Sequence, residues 1–313
     1  MPTLQYLLEN NAKVIIVGHL GRPAPISNFK FLISNAEPEF SLVPVVKWLA
    51  QKMNLNMTEE KIGEFGGWKL SDKISILENI RFYSEEERND PEFAQKLASV
   101  AQIFVNDAFA TAHRMHASTE GVTHFLPSFA GLRVLEEVKV LSEILENPKR
   151  PLCVIIGGAK IETKLPLVKK MCQFADHVLV GGEIARNSTI LSEMNNEKAQ
   201  SCSLLVADLN EPQTDITLES LQKFIQVAGE CQTIVWNGPM GLIPDPKNPS
   251  QTTFYLAKML AENNAYKVVG GGDTVGFLKE HALLSSFSFV STGGGAMLEF
   301  LSGEKLPGLI ALE

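Results

Sequence analysis

The chain has 313 residues, 45 % apolar and 20 % charged, enough to build two packed domains. Its formal net charge of −8 argues against nucleic acid or an anionic membrane as partner, so an anionic substrate must meet a local basic patch. The four cysteines, Cys153, Cys172, Cys202 and Cys231, lie far apart without a CxxC pair and read as reduced, mostly buried thiols of a reducing, cytoplasmic compartment. The first residues show no basic segment leading an apolar one, and no apolar run approaches the roughly 20 residues of a membrane helix.

In chain order, strand-like apolar runs alternate with helical patterns. Strands are predicted at residues 13–17, 74–77, 103–105, 152–156, 177–180, 233–236, 265–269 and 287–290. Helices are predicted at residues 91–99, 133–147, 164–174 and 252–262. Continuous apolar strands separated by helices imply parallel sheets covered on both faces, hence an α/β fold. The polar helical stretch that ends at Pro148-Lys149-Arg150-Pro151 reads as a connecting helix and linker, so residues 133–150 are taken as the boundary.

The two halves carry different chemistry, each just after a strand, where open α/β sheets place their ligands. In the first half the motifs are basic: His19-Leu20-Gly21-Arg22-Pro23, Leu77-Glu78-Asn79-Ile80-Arg81-Phe82, and Asn106-Asp107-Ala108-Phe109-Ala110-Thr111-Ala112-His113-Arg114-Met115-His116. Three of the six histidines fall here, in a chain of negative charge. Arg22, Arg81 and Arg114 with His19, His113 and His116 are expected to converge on one crevice, because the planar arginine fork suits carboxylate and phosphate.

In the second half the motifs are rich in glycine and lysine: Gly157-Gly158-Ala159-Lys160, Gly181-Gly182, Asn237-Gly238-Pro239-Met240-Gly241, Gly270-Gly271-Gly272-Asp273-Thr274, and Ser291-Thr292-Gly293-Gly294-Gly295-Ala296. Glycine lets backbone N–H groups approach an anion, and a helix start adds orphan donors and the positive end of a dipole. Lys160 and Lys164 are four apart, on one face of a helix start, where they can neutralise phosphate oxygens. Asp273 beside such a loop suits Mg²⁺ held jointly by protein and phosphate. Two phosphate-type loops and one metal-type carboxylate suggest a nucleoside triphosphate site. Neither the Walker pattern nor G-x-G-x-x-G is present, which disfavours a common P-loop protein or a dinucleotide-dependent dehydrogenase.

Taken in order, these strings closely resemble the phosphoglycerate kinase family, from Pro2 to Leu312. The resemblance implies two doubly wound, Rossmann-like domains joined by a helix and hinge: a glycerate-binding domain at residues 1–132, with residues 304–313 crossing back to it, and a nucleotide-binding domain at 151–303. It implies a cytoplasmic, monomeric transferase that moves a phosphoryl group between 1,3-bisphosphoglycerate and ADP, giving 3-phosphoglycerate and ATP, with Mg²⁺ as cofactor. By resemblance, His19, Arg22, Arg81 and Arg114 hold the glycerate ligand. Gly158, Ala159, Asn237, Pro239, Gly272, Asp273 and Thr274 serve the nucleotide, with Asp273 on the metal. Lys160, Lys164 and the amides of Gly293, Gly294 and Gly295 face the phosphoryl group in flight. Such a reaction depends on alignment and charge neutralisation more than on covalent help.

The sequence also departs from the family pattern. The family's opening strand with an Asp-Phe-Asn motif, and the arginine that follows it a few dozen residues later, have no counterpart in this sequence. The expected consequences are weakened glycerate binding, a discontinuity in the first sheet and little turnover. That leaves two hypotheses: an incompletely represented working kinase, or a pseudoenzyme that binds ligand or partner only. Pro244 stands where the family has a ribose-binding glutamate, with Asp245 adjacent. Asp215-Ile216-Thr217-Leu218 replaces an Asp-Ile-Gly-Pro loop, and Gly181-Gly182 is followed by Glu183 rather than a third glycine.

Overall fold

The computed structural model describes residues 1–24, 38–159, 161–187, 202–242 and 250–312. Lys160, Pro244 and Asp245 lie outside the described residues. The chain divides into two compact units, Met1–Glu136 with Leu306–Glu313, and Glu137–Lys305. The division falls within the helix Leu132–Glu146.

The second unit is a six-stranded sheet of β7 (Leu152–Ile156), β8 (His177–Val180), β9 (Ser203–Val206), β10 (Thr233–Asn237), β11 (Tyr266–Gly270) and β12 (Phe289–Val290). The strands lie in the order β12-β11-β10-β7-β8-β9, and every pairing is parallel. β7 and β10 are buried along their whole length, as near-continuous apolar runs require when helices cover both faces. Trp236, Phe224 and Leu256 pack into the same core, joining β10 to the helices Leu218–Gly229 and Gln251–Glu262. Both helices begin on a hydroxyl cap: Thr217 accepts from the Ser220 amide and Ser250 from the Thr253 amide. From β7 the chain winds outward through β8 and β9, then returns to β10 beside β7 and winds the other way. The strand order therefore reverses between β7 and β10, the position at which open α/β sheets form a crevice.

Among the described residues the first unit holds two sheets. β1 (Val14–Ile16) pairs in parallel with β4 (Ile74–Leu77), and β4 continues antiparallel into the hairpin β3 (Phe65–Ser71) and β2 (Thr58–Ile62). β5 (Phe104–Asn106) and β6 (Ser128–Ala130) form a separate parallel pair. Among the described residues β1 and β5 each end a sheet, and the parallel strands of this unit fall in two separate sheets. The hairpin departs from the sequence expectation: β2 is polar and mostly exposed, and the Gly66-Gly67 pair makes β3 read as a loop. Tertiary packing overrides that signal, because Trp68 and Leu70 are buried against Val46 and Leu49 of the helix Val43–Met53.

One expectation is corrected. Cys172 and Cys202 are joined in a disulfide, with Cα atoms 5.2 Å apart, so the four cysteines are not all free thiols. The helix Ile161–Met171 ends next to the start of β9, a proximity that 30 positions of sequence separation conceal. Cys153 and Cys231 remain free and buried. No helix among the described residues is long and apolar enough to cross a membrane.

Candidate active site

In the first unit, two residues of the Leu77–Phe82 motif organise the basic loops. The Glu78 carboxylate accepts hydrogen bonds from the Leu42 amide (2.7 Å), the Ser41 hydroxyl (2.7 Å) and the Asn79 amide (2.7 Å). The Asn79 side chain donates to the carbonyls of Leu20 (2.8 Å) and Phe40 (2.9 Å) and accepts from the Arg81 amide (3.0 Å). Both residues are buried, so these bonds are strong constraints rather than surface decoration. They hold the loop after β1, the Ser41-Leu42 segment and the short helix Ile80–Phe82 in one arrangement. Glu78 and Asn79 stand inside a motif that the sequence displays, yet nothing in the sequence assigns them this task.

Arg81 is consequently fixed. Its Nη1 donates to the Gly21 carbonyl at 2.9 Å, while its Nε, 3.4 Å from Glu87, makes no hydrogen bond. Arg114 Nε donates to His113 Nε2 at 3.2 Å. His116 lies 3.8 Å from the buried Glu86 carboxylate, which accepts from the Ser118 amide and hydroxyl. The electrostatics show that these groups share one neighbourhood. Burial lowers the Arg81 pKa first of all, Glu87 opposes, and Arg114 and Arg22 lower it further. His19 is pushed down to about 4, by surrounding protein first and then by the charges of Arg81, His116 and Arg114, with Glu87 opposing. The ring still keeps open surface, so an incoming ligand can reach it. His116 is lowered by burial and by Arg81. Mutually repelling cations with too few local anions are what a site for an anionic ligand looks like before the ligand arrives. The C-terminal segment abuts the same region: the Gly308 amide donates to Ala112 O at 2.8 Å, and Asn106 Nδ2 donates to Gly308 O at 3.1 Å.

In the second unit the site is made of backbone. The loops after β7, β8 and β10 pack directly on one another. The Gly157 amide donates to Asn237 O (2.8 Å), the Gly158 amide to Pro239 O (2.8 Å) and the Gly182 amide to Met240 O (2.9 Å). Gly238 sits at φ +94°, and a Cβ there would collide with the Gly157 carbonyl oxygen. Only glycine permits this approach. Thr274 Oγ1 accepts from the Gly238 amide at 3.0 Å, and Asn237 Nδ2 donates to Gly294 O at 2.9 Å. Asn237 and Thr274 thus brace the loops rather than line the cavity. Lys164 Nζ donates to Gly157 O at 2.6 Å, which brings its charge to the loop after β7.

A cavity of about 460 Å³ opens beside these loops. Gly158, Ala159, Pro239, Gly272 and Asp273 line it. Asp273 stands in the first turn of the helix Gly272–Glu280. The helix Gly294–Leu301 starts at the neighbouring glycine loop, and the amide of Gly293 donates to Ser291 Oγ at 3.1 Å. That loop has an anchor that the sequence does not reveal. The fully buried Glu137, on the helix Leu132–Glu146, accepts from both the amide (2.7 Å) and the hydroxyl (2.8 Å) of Thr292. Among glutamates on an amphipathic helix nothing singles it out; only its burial does.

The donor set suits one divalent ion shared with phosphate. Among the described residues no group of three or more His, Cys, Asp or Glu side chains is clustered to hold a metal alone. A single carboxylate, Asp273, at a helix start beside an anion site is the arrangement Mg²⁺ uses when phosphates supply further oxygens.

Comparison with known proteins gives one consistent answer. The family model described as phosphoglycerate kinase matches residues 1–201 and 187–304. The chloroplastic phosphoglycerate kinase 1 of Arabidopsis thaliana is 37 % identical, over 100 % of this chain and 74 % of the relative. The phosphoglycerate kinase of Coprothermobacter proteolyticus is 36 % identical, over 100 % of this chain and 88 % of the relative. Among solved structures, phosphoglycerate kinase from Coxiella burnetii superposes with a TM-score of 0.76 at 32 % identity, covering 99 % of this chain and 88 % of that one. The enzyme from Pyrococcus horikoshii gives 0.80 at 26 % identity, covering 100 % and 89 %. The chain belongs to the phosphoglycerate kinase family.

Proposed function

We propose that this chain catalyses reversible phosphoryl transfer between 1,3-bisphosphoglycerate and ADP, giving 3-phosphoglycerate and ATP. The observation that carries the reading is the cavity at the strand-order reversal of the second unit, where packed glycine loops, a helix start and Asp273 meet. There the start of the helix Gly272–Glu280 offers the nucleotide phosphates its first-turn amides and the positive end of its dipole. Lys164 adds positive charge at the loop after β7. In the first unit, Arg22, Arg81 and Arg114 with His19 offer a carboxylate- and phosphate-bearing glycerate the cations that its charge requires. Asp273 would hold Mg²⁺, which would supply positive charge to the nucleotide phosphates. We further propose that the protein works as a cytoplasmic monomer. No described residue favours the reading in which the chain binds without turnover.

A coupled assay for 1,3-bisphosphoglycerate-dependent ATP formation tests the reaction, and calorimetry tests the site. ADP binding should tighten with Mg²⁺ in the wild type and lose that dependence in Asp273→Asn. An unchanged Mg²⁺ dependence in the variant would remove Asp273 from the metal assignment.

A further inference from the structure

The loop after β10 supplies Pro239, Met240, Gly241 and Leu242 to the lining of the cavity. Its carbonyls are held by backbone: Pro239 O accepts from the Gly158 amide and Met240 O from the Gly182 amide. Its amides turn to one side chain with no exposed surface. Thr253, in the first turn of the helix Gln251–Glu262, accepts at Oγ1 from the Met240 amide at 3.0 Å and the Gly241 amide at 3.4 Å. A hydroxyl has two acceptor lone pairs and one proton. The two amides use both lone pairs, so the proton must go to a further acceptor. Ser250 Oγ lies 2.8 Å from Thr253 Oγ1 and donates its own proton to Asp215 Oδ2 at 3.0 Å. The direction of the row is therefore fixed: Thr253 donates to Ser250, and Ser250 donates to Asp215. A carboxylate only accepts, so the row cannot run the other way. Asp215 is itself anchored, at Oδ2 by the Thr252 amide (3.3 Å) and at Oδ1 by the Thr252 hydroxyl and the Ile216 amide (2.9 Å).

We propose that Thr253 is a positioning residue for the nucleotide: without touching the ligand, its hydroxyl relays the charge of Asp215 to the Met240 and Gly241 amides and holds the loop after β10 in the shape that nucleotide binding requires. The proposal rests on the nucleotide reading of the cavity. Hydrogen bonds in a row that ends on a charge polarise one another and hold more firmly than isolated ones. Capping the helix does not account for the Thr253 hydroxyl. Ser250 Oγ already performs that task by accepting from the Thr253 amide at 3.3 Å. What the Thr253 hydroxyl adds is its grip on the loop.

Calorimetric titration of MgADP into the full chain, well below the unfolding temperature of each variant, tests the proposal. Thr253→Val removes the hydroxyl at nearly constant shape and should weaken ADP binding about tenfold, whereas Thr253→Ser keeps the hydroxyl and should bind within about twofold of wild type. Thr233→Val is the control for general loosening. It removes another buried hydroxyl of this sheet, one that donates to Lys149 O at 2.8 Å from the opposite end of β10. It should lower the unfolding midpoint and leave ADP affinity unchanged. ADP affinity unchanged in Thr253→Val overturns the proposal, and so does an equal loss in Thr233→Val. Should Thr253→Val not fold, Thr253→Ala, too small to crowd the core, carries the same expected loss. Asp273→Asn keeps this failure apart from that of the nucleotide reading. If it weakens ADP while Thr253→Val does not, the cavity stands as the nucleotide site and only the positioning role falls. If Asp273→Asn leaves ADP binding unchanged, the nucleotide reading falls, and the positioning role with it.

Discussion

The first unit gathers long cationic side chains, Arg22, Arg81 and Arg114 with His19 and His116, in one neighbourhood, and Glu78 and Asn79 fix the loops that carry His19, Arg22 and Arg81. The second unit does the reverse: it removes side chains, so that loops after three strands touch backbone to backbone, and the start of the helix Gly272–Glu280 lines the cavity. The difference has a physical consequence. A site made of side chains loses affinity when one is truncated while the fold survives. A site made of glycine backbone loses its geometry when anything is added, so binding and stability fail together.

The largest expected effect is in the second unit. Gly238→Ala puts a Cβ at positive φ and against the Gly157 carbonyl. Backbone strain and overpacking together should cost roughly 3 kcal/mol. Calorimetric unfolding should show that loss alongside an ADP affinity reduced about a hundredfold, the binding equivalent of a similar energy. Normal ADP binding by a destabilised Gly238→Ala would break the comparison, because fold and site would then be separable here.

Arg81→Ala is the counterpart in the first unit. Losing a charge-assisted hydrogen bond costs about 1.5–3 kcal/mol, so 3-phosphoglycerate affinity should fall about ten- to a hundredfold. Nucleotide affinity should not follow it. Arg81→Lys should restore only part of the loss, since an ammonium cannot reproduce the planar fork. Equal binding by wild type and alanine variant would show that the cation cluster is not the glycerate site.

Glu137→Gln sharpens the comparison from a second direction, as a side chain serving a backbone site. Gln can accept from the Thr292 amide or hydroxyl but lacks the charge that strengthens both bonds. The stability loss should be about 1–2 kcal/mol, read as a lower unfolding midpoint in denaturant at unchanged slope. A neutral substitution would mean that the glycine loop holds its position without this anchor.

The smallest effect is in the pH dependence of the first unit. The folded-state pKa of His19 lies at about 4, below its ordinary value of 6.5. Its neutral form therefore contributes stability that is complete above the ordinary value and lost as pH falls toward about 4. His116 shifts in the same direction. The unfolding midpoint should thus fall on acidification across that window, less steeply in His19→Gln than in the wild type. Parallel slopes would place His19 outside the field of the arginines.

Much of this molecule is legible in its residues. The buried strands of the second unit are continuous apolar runs rich in β-branched residues, so β7, β8 and β10 read nearly as they fold. Glycine strings and basic loops after strands mark both candidate regions, because binding an anion calls for those residue types. Local sequence does not disclose pairing and partnership. The hairpin β2–β3 exists because Trp68 finds a helix to bury against, which no property of Thr58–Ile62 foretells. The disulfide joins Cys172 to Cys202 because a helix end meets a strand start. Glu137 and Glu78 became anchors only when folding removed them from water and left them amides and hydroxyls to bind. Sequence determined which groups were available and where glycine alone could stand, since those follow from composition and backbone sterics. Tertiary structure decided which of the available charges became buried and partnered, because desolvation acts on a group's neighbours in space and not on its neighbours in the chain.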